Sequence, residues 1–218
     1  MEIDWFPLWA SLRVGAAATA ISLLAGTPIG WALSRGRIPG TVAIEAVVLL
    51  PLVLPPTVLG LFLLTVIGTR SAFGRAWEAV TGGPLVFTLN AAVLAACVSA
   101  VPLVARIVRS ALDREDPEIE EAARIDGAGR WAIAFYIVLP RLRGTLLAAA
   151  GLAFAKSVGD FGATLMVAGS IPGRTQTASM AIYDLANAGR EGEALAYAAV
   201  LCAAALVVLV VLGGRRVA

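Results

Sequence analysis

Glu121-Ala-Ala-Arg-Ile-Asp-Gly127-Ala-Gly-Arg130-Trp-Ala-Ile-Ala-Phe-Tyr-Ile-Val-Leu-Pro140 is the stretch whose reading decides the fold of this chain. Just upstream, Asp116-Pro117 reads as an N-cap followed by proline at the first helical position. Glu118, Glu120 and Glu121 then load the first turns with negative charge, which complements the helix dipole. Gly127-Ala128-Gly129 stops that helix, and a second begins near Arg130 and ends at Pro140. Trp131, Ala134, Phe135 and Val138 fall on one face of the second helix. Residues 113–144 therefore predict two short helices meeting at a glycine corner, too ordered in their signals for a plain connector. Physics alone leaves this open between a docking element and a solvated surface hairpin.

Outward from this segment the chain changes character. Of 218 residues, 59% are hydrophobic and only 15% charged, with a mean hydropathy of +0.86. Ordinary soluble domains carry about 25% charged residues. The composition excludes a disordered chain and a nucleic-acid-binding module, and makes the bilayer the solvent. Five apolar stretches are long enough to cross it as helices, at about 8–33, 42–67, 87–112, 145–167 and 194–212. A single transmembrane domain over residues 1–218 is expected. The first stretch follows Glu2 and Asp4 rather than basic residues and is expected to be a retained anchor, not a cleaved signal.

Arginine placement orients the spans. Eleven arginines follow spans one, three and five, among them Arg35, Arg37, Arg215 and Arg216; four follow spans two and four, namely Arg70, Arg75, Arg174 and Arg190. The richer side faces the cytoplasm, which predicts an outside N-terminus and a cytoplasmic C-terminus. Trp5, Trp9 and Trp31 fit interfacial anchors.

Span two contains Pro51-Leu-Val-Leu-Pro55-Pro56-Thr57, which no helix traverses undisturbed. Backbone freed at membrane depth is tolerated only against protein or a water-filled cavity, so the break reads either as a pathway lining or as a packing kink. Gly26-Thr27-Pro28 is a weaker signal of the same kind. Lys156 and Asp160 are spaced for one helix face and read best as a structural pair. Glu45 and Arg13 sit near span ends, where snorkelling accounts for them.

Absences matter too. With no histidine, the commonest general base and metal ligand are missing, and no metal site is expected. Cys97 and Cys202 lie in apolar runs and are expected to be buried and inert. Lys156-Ser157 follows Ala155 where a phosphate-binding loop requires glycine, so no ATPase motif is present. A membrane-embedded enzyme would need a convergent set of catalytic residues, and none is visible. An ATP-independent secondary transporter would need internal repeats or several intramembrane charges.

Glu121-Ala122-Ala123, three residues, Gly127, nine residues and Ile137-Val138-Leu139-Pro140 together resemble the EAA motif of bacterial ABC-importer permeases. The match of span order extends over nearly the whole chain. Pro51-Leu-Val-Leu-Pro-Pro56 with Thr57 and Val58, Gly127-Ala-Gly-Arg-Trp131, Ser157-Val-Gly-Asp-Phe-Gly-Ala-Thr164 and Ile171-Pro-Gly-Arg-Thr175 are similar to the molybdate-importer permeases. Sulfate permeases share a close variant of the third segment. Asp160 replaces an expected glutamate, and an extra N-terminal span of some relatives is absent.

The resemblance implies an all-α, type I ABC-importer permease fold in a bacterial or archaeal inner membrane. It implies a homodimer with the path at the two-fold axis, two copies of a cytoplasmic ATP-binding subunit that holds ATP and Mg, and an extracytoplasmic molybdate-binding protein. The permease itself would carry no cofactor and hydrolyse nothing. Glu121, Ala122, Ala123, Gly127, Ile137, Leu139 and Pro140 would couple to the ATP-binding subunit. A tetrahedral dianion needs donors to replace its hydration, yet must not be held tightly. Thr57, Ser157 and Thr164 offer hydroxyl donors and, with Pro55 and Pro56 of the helix break and Asp160, make up the pathway candidates.

Overall fold

The computed structural model describes residues 4–34, 40–115 and 118–213, and its regular structure is helical throughout. Arg35, Arg37, Arg215, Arg216 and the Asp116-Pro117 cap lie outside the described residues.

Among the described residues, three helices are individually long and apolar enough to cross a membrane: α1 (Phe6–Ser34), α5 (Leu89–Leu112) and α12 (Glu191–Gly213). Pro28 lies inside α1 without ending it, so Gly26-Thr27-Pro28 interrupts nothing. The second predicted span is two helices, α2 (Thr41–Val53) and α3 (Pro56–Ile67), set at 109° to each other. The cause is local. Each residue before a proline is pushed out of the helical region, and Leu54 (ψ 141°) and Pro55 (ψ 137°) are both extended. Pro56 then starts α3 at a position where a missing N–H costs nothing.

The fourth span also departs from expectation. It divides into α9 (Arg143–Val158) and α10 (Gly162–Ala168), with Gly159-Asp160-Phe161 between them. Two short helices of the connecting segments, α4 (Ala72–Thr81) and α11 (Ala178–Asn187), complete the outer parts. The Ser71 side chain caps α4 by accepting from Gly74 N at 2.7 Å.

The glycine-corner segment comprises α6 (Glu118–Ile125), α7 (Arg130–Ala132), a π-helical stretch (Ile133–Val138) and α8 (Leu139–Arg141), which meets α9 at a 67° bend. The π turn splits the predicted face, of which Val138 alone is buried. Wider hydrogen-bonded turns shift the side-chain period, so Trp131 and Phe135 are exposed while Ile133 and Val138 are buried.

Helices α1, α5 and α9 form the centre of the fold, packed largely through alanine and glycine. Ala100, Val104 and Val108 of α5 meet Ala149 and Ala153 of α9, and Ile133, Val138 and Leu142 continue this cluster under the corner. A second cluster joins Val14 and Ala18 of α1 with Leu59 and Leu63 of α3, the first half of α5, and Ala163 and Val167 of α10. Small residues let helices approach closely where lipid supplies no hydrophobic drive. A Cβ at Gly30 would lie 2.5 Å from the Ala105 carbonyl oxygen, so α1 and α5 touch backbone to backbone there. Helix α12 buries only Ala194 and Tyr197 and leaves Cys202 exposed, contrary to the expected burial of both cysteines; Cys97 is buried. Glu45 does not snorkel but forms an ion pair with Arg109, and the Arg13 guanidinium lies 5.1 Å from the Trp9 ring centroid.

Candidate functional site

The two helix breaks abut. A Cβ on Gly162, the first residue of α10, would lie 2.7 Å from Pro56 Cβ, and one on Gly60 of α3 would lie 2.7 Å from Met166 Cβ of α10. The Pro55-Pro56 corner and the Gly159-Asp160-Phe161 break thus form one irregular region where α3 crosses α10. Having no N–H, Pro55 and Pro56 cannot donate to the Pro51 and Leu52 carbonyls, which lose their usual i+4 donors. Pro55, Pro56 and Thr57 are all exposed at this corner.

Asp160 organises the other break. Its side chain is buried (6% exposed), and Oδ2 accepts from the Thr164 backbone N–H at 3.2 Å and from the Thr164 hydroxyl. The hydroxyl of Ser179 on α11 donates to the Asp160 carbonyl at 3.1 Å. The carboxylate therefore satisfies a donor at the start of α10 that the helix cannot. Ser157, one turn earlier, is buried, and its Oγ has no hydrogen-bond partner among the described residues. Of the pathway candidates, the structure brings Pro56, Asp160 and Thr164 to one place; Thr57 lies at the exposed edge and Ser157 on the α9 side.

The expected Lys156–Asp160 pair does not form. Lys156 is exposed and Asp160 turns inward to Thr164, because α9 ends at Val158 and the four-residue spacing no longer lies on one helix face. Asp160→Ala is accordingly expected to destabilise the protein by about 1–3 kcal/mol, the cost of orphaned buried polar groups. Lys156→Met should leave stability near wild type and should not rescue Asp160→Ala. Thermal unfolding of the purified variants checks both, and rescue by the double variant would reinstate the pair.

Beyond the break, Gly169 to Thr177 form a heavily cross-linked loop. Thr175 Oγ1 donates to the Gly169 carbonyl (2.9 Å), Gln176 Nε2 and Ser170 Oγ both donate to Asp184 Oδ2 (2.8 and 2.6 Å), and Ala178 N donates to Ser11 Oγ of α1 (2.8 Å). Ser179, Ser11 and Asp184 carry no sequence signal, since their partners come together only in the folded chain.

The glycine corner has the predicted backbone. Gly127 is left-handed at φ +84°, its N–H donates to the Arg124 carbonyl (3.1 Å), and the Ala128 N–H donates to the Ala123 carbonyl (2.9 Å). This is a Schellman end to α6, and Ala123 and Ala128 both pack on the inner cluster as the motif requires. Glu121, Ala122, Gly127, Leu139 and Pro140 are exposed, whereas Ala123 and Ile137 are half-buried. Beside them Trp131 and Phe135 stack with ring centroids 6.1 Å apart, and Tyr136 is 82% exposed. An ion pair between Glu115 and Arg141 ties the end of α8 to the chain just after α5.

The family model described as "binding-protein-dependent transport system inner membrane component" matches residues 17–217. The chain belongs to this family. It is an inner membrane component of a transport system, and its fold is shared with solved importer permeases: a chain of the MetNI methionine ABC transporter superposes with TM-score 0.70, at 21% identity, over 96% of this chain and 92% of that one. The molybdenum transport system permease protein ModB of Escherichia coli (strain K12) is 41% identical over 182 residues, 84% of this chain and 80% of that protein. The sulfate transport system permease protein CysT of the same strain is 34% identical over 184 residues, covering 84% of this permease and 66% of CysT.

Proposed function

We propose that this permease carries molybdate, or its near-isosteric relative tungstate, into the cytoplasm as the membrane-spanning part of an ATP-driven importer. The observation that carries this reading is the coincidence of the two abutting helix breaks with an exposed Schellman corner, in a chain 41% identical to ModB. Two copies of the chain would face each other across the path, each docked to one copy of a cytoplasmic ATP-binding subunit that holds ATP and Mg. An extracytoplasmic binding protein would supply the oxyanion.

The chemistry at the break suits weak, transient contact with a dianion. Thr57 offers an exposed hydroxyl, and the site presents no cluster of uncommitted cations that would trap the ion. Asp160 is consumed by Thr164, so it serves the break's geometry rather than the ion. The corner residues Glu121, Ala122, Gly127, Leu139 and Pro140, with the exposed Trp131 and Phe135, form the surface that the ATP-binding subunit would cover.

The 34% identity to CysT supports sulfate as the alternative cargo. ATP-dependent uptake of labelled molybdate by proteoliposomes containing the whole complex tests the choice. Tungstate should compete about as well as unlabelled molybdate, and sulfate at least tenfold less well. Equal competition by sulfate would replace this assignment.

The proposed orientation has the glycine corner in the cytoplasm. In the permease alone, Arg70→Cys should react with an impermeant thiol reagent added outside and Ile125→Cys only after the membrane is opened. The reversed pattern would invert the topology. Both positions are exposed, and neither carries a cap, unlike the neighbouring Ser71.

A further inference from the structure

An open groove of about 310 Å³ between α2 and the C-terminal end of α5 is walled by Glu45, Arg106, Arg109, Ser110, Asp113 and Arg114. Its charges are unequally committed. Arg109 is engaged by two carboxylates, Glu45 and Asp113, the latter at 3.5 Å. Among the described residues Arg114 donates only to the Ser110 hydroxyl oxygen, at 3.3 Å, a bond that does not use the Ser110 proton. Arg106 is exposed and has no hydrogen-bond or ion-pair partner among the described residues. Arg106, Ser110 and Arg114 are spaced four apart and share one stripe of α5 and its extension. Three arginines against two carboxylates leave the groove with one net positive charge, and Arg106, Arg114 and the Ser110 hydroxyl are the groups free to serve something that enters it.

The surroundings point to an amphiphile. Helix α2 contributes Glu45 to the groove and buries none of its residues, and Val42, one turn from Glu45, is exposed beside it. A 24-residue helix such as α5 is about 36 Å long against a hydrocarbon core of about 30 Å. The excess of about 6 Å is enough to place its last turn at headgroup depth, with Arg106 one turn deeper and long enough to reach up to it, and basic pockets between membrane helices at that depth take anionic lipid heads.

We propose that this groove seats the phosphate of an anionic membrane phospholipid, with Arg106, Ser110 and Arg114 as its donors and the acyl chains against the Val42 end of α2, away from the proline corner. A free tetrahedral oxyanion would use the same donors but gain nothing from the exposed apolar turn of α2 beside the groove. The site stands apart from the helix breaks and does not depend on which anion is carried.

Native mass spectrometry of the full-length permease, titrated with phosphatidylglycerol and with phosphatidylcholine, tests the assignment. Arg106→Gln with Arg114→Gln should weaken phosphatidylglycerol binding tenfold or more and leave phosphatidylcholine unchanged. Lysine at both positions should retain most of the binding, which separates lost charge from lost fold. The control Arg70→Gln with Arg75→Gln, at the other end of the molecule, should bind like wild type. Unchanged phosphatidylglycerol binding in the Arg106/Arg114 double glutamine variant would overturn the proposal. So would displacement of the lipid from wild type by millimolar molybdate or inorganic phosphate, which would assign the groove to a free oxyanion. Loss of the ATP-binding subunit from that double variant, with lipid binding intact, would assign it to a protein contact.

Discussion

Gly127→Glu is expected to cut ATP-driven uptake at least tenfold while the permease still accumulates in the membrane. A Cβ at this position meets no atom within 4 Å, so crowding is not the cause. The cost is the left-handed backbone at φ +84°, about 1–2 kcal/mol for a residue with a Cβ. That strain falls on the Schellman bonds that aim α6 at the exposed aromatic pair, so the corner reorients and docking suffers first. Gly129→Glu is the proper comparison: it too has open space around a Cβ, and its φ is not positive. Ala128, though adjacent, packs on the inner cluster and is not a neutral reference. Membrane level, retention of the ATP-binding subunit and uptake should be measured for both variants. Normal uptake in Gly127→Glu would remove the corner from the coupling path.

Gly30→Leu is expected to abolish folded protein. Its Cβ alone would lie 2.5 Å from the Ala105 carbonyl oxygen and 2.9 Å from Val108 Cβ, and a backbone oxygen on a packed helix cannot step aside. Helices α1 and α5 would have to part at the centre of the fold, a loss well beyond the 1–3 kcal/mol typical of an overpacked core. Gly192→Leu, where a Cβ meets nothing within 4 Å, should behave as wild type. The monodisperse fraction on size exclusion in mild detergent reads both, and a well-folded Gly30→Leu would contradict the packing described for α1 and α5.

What was legible in the sequence was whatever local chemistry determines. Pro55-Pro56 dictates a break because two successive residues lose helical dihedrals and two carbonyls lose donors, whatever surrounds them. Gly127 dictates a left-handed corner for the same kind of reason. Readings based on periodicity failed where the helix was not continuous. Lys156 and Asp160 were paired on the assumption of an unbroken span, and α9 ends between them. Trp131, Ala134, Phe135 and Val138 were placed on one face on the assumption of 3.6 residues per turn, and across the π-helical stretch Val138 is buried while Trp131 and Phe135 are exposed. Contacts distant in sequence left no trace in it. Glu45 meets Arg109 across 64 residues, and Ser11 caps Ala178 across 167.

The central claim is that the abutting breaks at Pro55-Pro56 and Gly159-Asp160-Phe161 line a water-accessible path. The direct measurement places a cysteine at Thr57 in a permease with Cys97 and Cys202 replaced, and follows its reaction with a charged, impermeant thiol reagent in the assembled transporter. The reference is the chain that keeps Cys202 alone, exposed on α12, the most apolar of the long helices. The cysteine at position 57 should react at least tenfold faster than Cys202, with a rate that changes when ATP is bound. A rate no greater than that of Cys202, and indifferent to ATP, would place the proline corner in lipid and contradict the account.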